Sequence, residues 1–383
     1  MPSYPTYKLG EVLSYEQPTN YIVESTEYDN SYPTPVLTAG KSFILGYTNE
    51  KEGVYDKLPV IIFDDFTTAS KYVDFKFKVK SSAMKILSCN EKIADIKYVY
   101  YIMQITNIQC DTHKRYWISD YSKVRIPLPP LATQRAIVTR IETLFAELDK
   151  GVEKLKTAQQ QLKVYRQAVL NDLLPMDNSK WKYVPIKNLI STINNGYTPK
   201  SDKMHSVGDV QFLKVYNLTF DGTLNLEKDP VFIDRETHEK DLKRSMAYPN
   251  DVLINIVGPP LGKVSVIPNT GKEYNINQAM VLFRPNEKVE SLFLSYYLQS
   301  PQVIAWLTAT SKATAGQYNV KVTTCREIPF PMVEVPTQQR IVQEIETRLS
   351  ACDEVEKNIA ESLQQAEALR QSILKKAFEG ELV

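Results

Sequence analysis

The sequence predicts an α+β chain made of one unit used twice: a mixed strand-and-helix head followed by a long helix, then a second head and a second long helix. The two helices are expected to pair with each other within the chain as a coiled coil. Three observations predict this: an ungapped internal repeat at a fixed offset, an apolar period of 3.5 residues in both copies, and short β-rich runs everywhere else.

Residues 133–174 repeat at 337–378. Thr133, Gln134, Ile137, Val138, Ile141, Glu142 and Thr143 match Thr337, Gln338, Ile341, Val342, Ile345, Glu346 and Thr347. Asp149, Gln160, Gln161, Arg166, Gln167 and Leu170 match Asp353, Gln364, Gln365, Arg370, Gln371 and Leu374. So many ungapped identities mark a duplicated unit, and two copies are too few for a solenoid. In the first copy one heptad column reads Ile141, Leu148, Leu155, Leu162, Val169; in the second it reads Ile345, Cys352, Ile359, Ala366, Ile373. A 3.5-residue period over five heptads predicts a coiled-coil seam. At 1.5 Å per residue each helix would be a rod of roughly 60 Å. A complementary column, Ile137, Leu144, Gly151, Ala158, Tyr165 and Ile341, Arg348, Val355, Ser362, Leu369, is imperfect, which favours pairing inside one chain. Proline-rich segments, Ile126-Pro127-Leu128-Pro129-Pro130 and Ile328-Pro329-Phe330-Pro331, impose extended entries, and Thr133 and Thr337 are placed to cap the helices.

The chain therefore divides into a head at 1–127, a helical spacer at 128–179, a head at 180–330 and a helical spacer at 331–383. Within the heads, Val73–Val79, Val210–Val215 and Val264–Ile267 read as strands, and Ile96–Ile105 and Leu292–Leu307 as helices. Tyr100-Tyr101 and Tyr296-Tyr297, and Tyr116 and Tyr318, correspond weakly between the heads. Similar spacers holding dissimilar heads suggest that the heads bind different things at a fixed separation.

Composition narrows the function. The chain has 383 residues, 43% hydrophobic and 24% charged, as globular domains do. No apolar run approaches the roughly 18 residues that span a bilayer, and the N-terminus has no signal architecture, so a cytoplasmic protein without membrane partners is expected. Four cysteines lie far apart and three histidines are isolated, which leaves no metal-ligand spacing. The net charge is +1, arising from 0 over 1–127, +1 over 128–179, +4 over 180–330 and −4 over 331–383. The acidic end masks a modestly basic second head. Gly258-Pro259-Pro260-Leu261-Gly262-Lys263-Val264 is one residue short of a phosphate-binding loop and lacks its hydroxyl. With no convergent acid–base cluster, catalysis by this chain is not expected.

Residues 126–149 and 328–356, the C-terminal Ala368–Val383, and Pro249–Ile267 followed by Asn275–Pro285 in the second head closely resemble the specificity subunit of Type I restriction–modification systems. Ile61–Leu87 resembles one recurring class of target-recognition domain. The resemblance covers essentially the whole chain. It implies that each head is a target-recognition domain reading one half of a split DNA site. It also implies that the helices pair as an intramolecular antiparallel coiled coil, relating the halves by a pseudo-two-fold axis, that they space the heads, and that they dock methyltransferase subunits, expected to be two, and through them restriction subunits. S-adenosylmethionine, ATP and Mg would then belong to those partners and no cofactor to this chain. A local two-fold axis in the duplex would match a pseudo-two-fold protein.

Candidate DNA contacts follow. Asn194, Asn195, Tyr197, Thr198 and Lys200 form a turn-rich loop whose amides could pair with adenine and whose cation could meet phosphate or guanine; an ordinary surface turn is the alternative. Lys312, Thr314, Gln317 and Tyr318 form a second polar loop, with a helix C-terminal stop as the alternative. Lys214 ends a strand in the same head. In the first head Thr67, Thr68, Ser70 and Lys71 precede Lys76, Lys78, Lys80, Ser81 and Ser82; the alternating lysines could share one strand face and track phosphates, or simply protect an edge strand. The heptads alone equally fit a different class of protein, a coiled-coil adaptor with two protein-binding heads.

Overall fold

The computed structural model describes residues 4–40, 42–106, 115–190, 192–314 and 317–382. The chain resolves into two compact units: Met1–Lys156 with Ala360–Val383, and Thr157–Ile359. The principal helices are α1 (Ile96–Ile105), α2 (Leu131–Leu173), α3 (Ser291–Gln299), α4 (Pro301–Thr310) and α5 (Val335–Phe378). The two long ones, α2 and α5, each run unbroken from one unit into the other. Their expected caps are corrected: both begin two residues before Thr133 and Thr337, because the Thr133 and Thr337 amides already donate to the carbonyls of Pro130 and Glu334 (2.9 Å each).

In the first unit a four-stranded antiparallel sheet orders Leu13–Glu16, Met84–Cys89, Val60–Asp64 and Ser70–Val73. One face packs on α1, the start of α2 and the end of α5 through Ile61, Phe63, Leu87, Val99, Ile141 and Leu374. The other face packs on a three-stranded sheet, Ile44–Thr48, Thr34–Leu37 and Lys78–Val79, through Val60, Ile62, Ile86, Leu37 and Val79. Buried on both faces, the central strand Val60–Asp64 reads as a continuous apolar run. The expected strand Val73–Val79 is broken: Ser70–Val73 belongs to one sheet and Lys78–Val79 to the other.

In the second unit a four-stranded sheet orders Ile193–Asn195, Met280–Phe283, Val252–Asn255 and Val264–Val266. It packs on α3 and α4, the end of α2 and the start of α5 through Val252, Ile254, Leu294, Val169 and Ile345. A second sheet orders Phe232–Ile233, Val210–Leu213, Tyr274–Ile276 and Met246–Ala247. The helix expected over Leu292–Leu307 is two helices. Ser300 is extended (φ −62°, ψ 141°) and Pro301 starts the next helix, since a proline inside a helix lacks its amide donor and clashes with the preceding turn.

The predicted heptad column is buried or half-buried along its length: Ile141, Val169, Ile345, Ile359 and Ile373 are buried, and Leu148, Leu155 and Leu162 half-buried. The complementary column is so only in part: Ile137 is buried and Leu144, Ala158 and Ile341 half-buried, but other positions are exposed. Tyr165 and Leu369 are 47% and 50% exposed and Val355 45%. In its place Val138, Phe145, Leu170, Val342 and Leu349 turn inward, as a straight 3.6-residue helix drifts off a 3.5-residue repeat. Within each unit the long helices are antiparallel and joined by the same ion pair. Arg370 meets Asp149 in the first unit, and Arg166 meets Asp353 and Glu356 in the second. Arg166 and Asp353 are the repeat equivalents of Arg370 and Asp149.

Candidate nucleic-acid interface

Each head is tied to its long helix by a buried glutamine. Gln134 accepts a hydrogen bond from the Asp95 amide (2.8 Å) and donates to the carbonyls of Ile93 (2.9 Å) and Pro129 (2.7 Å). Gln338, its repeat equivalent, accepts from the Glu290 amide (2.8 Å) and donates to the carbonyls of Lys288 and Val333 (2.8 Å each). Asp95 and Glu290 are the N-caps of α1 and α3. The hydroxyls of Tyr98 and Tyr297 donate to the carbonyls of Pro127 and Pro329. Measured from the two caps, Tyr101 corresponds to Tyr296, one residue out of step with the pairing read from sequence.

In the first unit the loop joining Val60–Asp64 to Ser70–Val73 lies beside the one preceding Met84, because the Asp65 amide donates to the Ala83 carbonyl (3.0 Å). This places exposed Thr67, Lys80, Ser81 and Ser82 and half-buried Thr68 near one end of the sheet. The Asp64 carboxylate shapes the tip by accepting from the amides of Phe66 and Thr67 (2.9 Å each). Beneath the tip, Asp65 and Lys85 form an ion pair at 3.2 Å, both 1% exposed, and Asp65 also accepts from the Trp117 amide (2.8 Å). Nothing in the sequence pattern marked this pair, since Lys85 reads there as an ordinary strand cation.

Two predicted contacts in this head, Lys78 and Ser70, are corrected. Lys78 is 4% exposed; it pairs with Glu50 at 2.8 Å and donates to the Glu52 carbonyl, so it shares no face with the exposed Lys76 and Lys80. The strand break after Val73 turns it inward. Ser70 is buried and its hydroxyl accepts from the Gln104 side chain (2.8 Å). Lys71 lines a cavity of about 550 Å³ against α1, α2 and α5, beside Tyr101, Asp149 and Arg370. Lys76 is exposed, 3.9 Å from Asp56.

In the second unit Asn194 and Asn195 end the edge strand, paired with Leu282 and Val281. The Gly196 and Tyr197 amides donate to the carbonyls of Met280 (3.0 Å) and Ile276 (3.1 Å). A Cβ on Gly196 would sit 2.1 Å from the Asn277 carbonyl oxygen, so this loop position requires glycine. Asn195, Tyr197 and Lys200 are exposed, and Asn194, Thr198 and Lys214 half-buried. The strand Lys312–Thr314 pairs with Gln317–Asn319, which pairs with Val257–Gly258. Paired strands thus flank residues 315–316, which lie outside the described residues. Tyr318 is half-buried; the side chains of Lys312, Thr314 and Gln317 lie outside the described residues.

A second cavity, about 880 Å³, lies against α2 and α4 and is lined by Lys163, Arg166, Gln167 and Leu170. Their repeat equivalents Glu367, Arg370, Gln371 and Leu374 line the cavity of the first unit. Among the described residues no group of three His, Cys, Asp or Glu side chains could hold a metal ion, and no helix is long and apolar enough to cross a membrane.

Duplicated joints carrying unlike loop-bearing heads define a class: two-headed recognition subunits that present exposed polar loops from rigid sheets. Residues 3–157 and 178–365 match the Type I restriction modification DNA specificity domain. The chain is 33% identical to the Type I restriction enzyme EcoR124I/EcoR124II specificity subunit of Escherichia coli, over 95% of this chain and 90% of that one. It is 30% identical to the EcoBI specificity subunit of Escherichia coli, over 67% of this chain and 58% of that one. A chain solved in a structure of complex assembly and conformational transition of the type I R-M system shares its fold (TM-score 0.71, 19% identity), covering 100% of this chain and 99% of that one. The chain belongs to the Type I restriction–modification DNA specificity family. It is a DNA sequence-specificity subunit and not a catalytic one, which sets the adaptor reading aside.

Proposed function

We propose that each unit reads one half of a split duplex site and that each also docks one methyltransferase subunit, two per chain. The carrying observation is that the helical faces are duplicated while the loops are not. Repeat-equivalent Tyr165 and Leu369 are both exposed apolar residues on the long helices, so the same helical face is offered twice, which supports two like docking partners. Restriction subunits join through the methyltransferases, and S-adenosylmethionine, ATP and Mg are bound by those partners. In the heads, the supporting residues are Thr67, Thr68, Lys80, Ser81 and Ser82 of the first and Asn194, Asn195, Tyr197, Thr198, Lys200 and Lys214 of the second, joined by Lys312, Thr314, Gln317 and Tyr318. Phosphate contacts give affinity and base-edge contacts give sequence.

The test is the mass of the complex assembled with the cognate methyltransferase. Tyr165→Glu and Leu369→Glu should each remove one methyltransferase copy, and the double variant both. Full occupancy by the double variant refutes the docking faces. Mapping methylated positions in DNA treated with the complex should return a bipartite site; a continuous site would refute the two-half reading.

A further inference from the structure

The second unit carries a cationic turn that sequence reading did not connect to its recognition loop. Residues Lys243–Ser245 form one 3-10 turn that packs against the edge strand Ile193–Asn195. Leu242 and Ser245 are buried and anchor the turn, while the Asn275 side-chain amide donates to the Leu242 carbonyl (3.0 Å) and the Ser245 hydroxyl (3.1 Å). That anchoring turns Lys243 and Arg244 outward. Both are exposed, and neither joins an ion pair among the described residues. The other charges beside them are already matched: Lys240 pairs with Glu236 at 2.9 Å, and Asp241 with Lys203.

Lys243 and Arg244 line one cleft, about 330 Å³, together with Asn195, Gly196 and Tyr197. Tyr197, 63% exposed, is a large aromatic open to solvent. The recognition loop cannot drift from this cleft. The Arg326 guanidinium holds the Ile193 carbonyl (2.9 Å), and Gly196 fits against the Asn277 backbone with no room for a side chain. Next to it, the Asn277 side-chain oxygen is buried with no hydrogen-bond partner among the described residues. Two uncompensated cations, an exposed aromatic and an amide on one rigid rim match the chemistry of a polyanionic backbone with accessible base edges.

We propose that Lys243 and Arg244 grip DNA phosphates at this cleft and so hold Asn195 and Tyr197 of the recognition loop against the bases of one half-site. This rests on the assignment of the second unit as a DNA reader. Phosphate contacts are sequence-independent and set salt dependence, each contributing about 0.9 to the slope of log K against log salt. Asn195 by contrast should set discrimination.

The experiment is a salt titration of the full chain with a mixed-sequence DNA duplex, by fluorescence anisotropy. The double variant Lys243→Ala/Arg244→Ala should lower the slope by about 1.8, so that between about 50 and 200 mM salt its affinity falls roughly 12-fold less than that of the parent. Lys272→Ala/Lys288→Ala removes the same charge from exposed positions of the same unit outside the cleft, and should change the slope by less than half as much. Asn195→Ala should keep the parental slope. Equal slopes for the cleft variant and the parent overturn the proposal, as does an equal loss in the control, which would make the effect one of net charge. A cleft variant with parental DNA binding but reduced methyltransferase capture would also overturn it, assigning the turn to a protein partner. If the parent itself binds no duplex, with or without its methyltransferase, the reader assignment falls first and is seen to do so.

Discussion

Replacing Gln134 or Gln338 by alanine removes three hydrogen bonds at each site, made by a side chain 0% and 1% exposed respectively. At a net value near 1 kcal/mol per bond, the loss is about 3 kcal/mol. Water entering the vacated space would offset part of this, which puts the lower bound at about 2 kcal/mol. In a unit of this size 1 kcal/mol moves the melting temperature by about 2–4 °C, so a fall of roughly 4–12 °C is expected by differential scanning calorimetry. The two residues serve different units, so the losses should add in the double variant. Gln161 and Gln365 are the proper controls. They too are identical between the repeats, but both are exposed, and their replacement should cost no more than about 0.5 kcal/mol. If Gln134→Ala melts with the parent, or if the exposed glutamines cost as much, the inference that these bonds form the head-to-helix joint is wrong.

Lys85→Ala leaves Asp65 as a buried charge without its cation, and should destabilise the first unit by about 3–5 kcal/mol in urea unfolding; a loss below about 1 kcal/mol would contradict the pairing. Burial alone would raise the Glu50 carboxyl, but hydrogen bonds from Lys78 and from the Ser25 and Glu24 amides leave it below its ordinary value. The folded state therefore binds its proton more weakly than the unfolded chain, so this contribution is present above the unfolded carboxylate range and disappears as pH falls through the lower folded value. Glu50→Gln should flatten the acid limb of the stability profile below about pH 4.5, and an unchanged limb would refute it. Leu155→Pro interrupts the interior of α2, where proline costs about 3 kcal/mol. Bipartite methylation should be lost while the circular dichroism of the heads survives; continued methylation of the native split site would refute the spacer role.

Much of the architecture was legible because the long helices repeat. Identical residues at a constant offset located the helices, and the column from Ile141 to Val169 lies against the interior as the period required. The outer column held at Ile137 and failed further along, because a heptad pattern counts apolar residues without knowing which face a head will cover. Tyr165 and Leu369 read as seam and stand in solvent. The candidate site was read less well, for a related reason. Lys76, Lys78 and Lys80 alternate in sequence, but the chain changes sheets after Val73, so alternation no longer means a shared face. Lys243 and Arg244 were invisible as partners of Asn195 because nearly fifty residues separate them, and only the packing of a 3-10 turn on an edge strand brings them to one rim. Lys85 shows the reverse case, a strand lysine that burial and a carboxylate have withdrawn from the surface.

The chemistry of the glutamine joint explains why the repeat is confined to the helices. Every partner of Gln134 and Gln338 is a main-chain amide or carbonyl, and so are the acceptors of the Tyr98 and Tyr297 hydroxyls. A joint made to main-chain atoms constrains the path of the head backbone and leaves most head side chains free. Ile93 faces Gln134 where Lys288 faces Gln338, an apolar residue in one head and a cation in the other, and the bond is the same. The helices have no such freedom. Arg166 must find Asp353 and Arg370 must find Asp149 through side chains, so both members of each pair are fixed in both copies. Sequence divergence is thus cheap at the head loops and costly at the joints that hold them, and two copies of one unit can carry unlike heads while remaining the same scaffold.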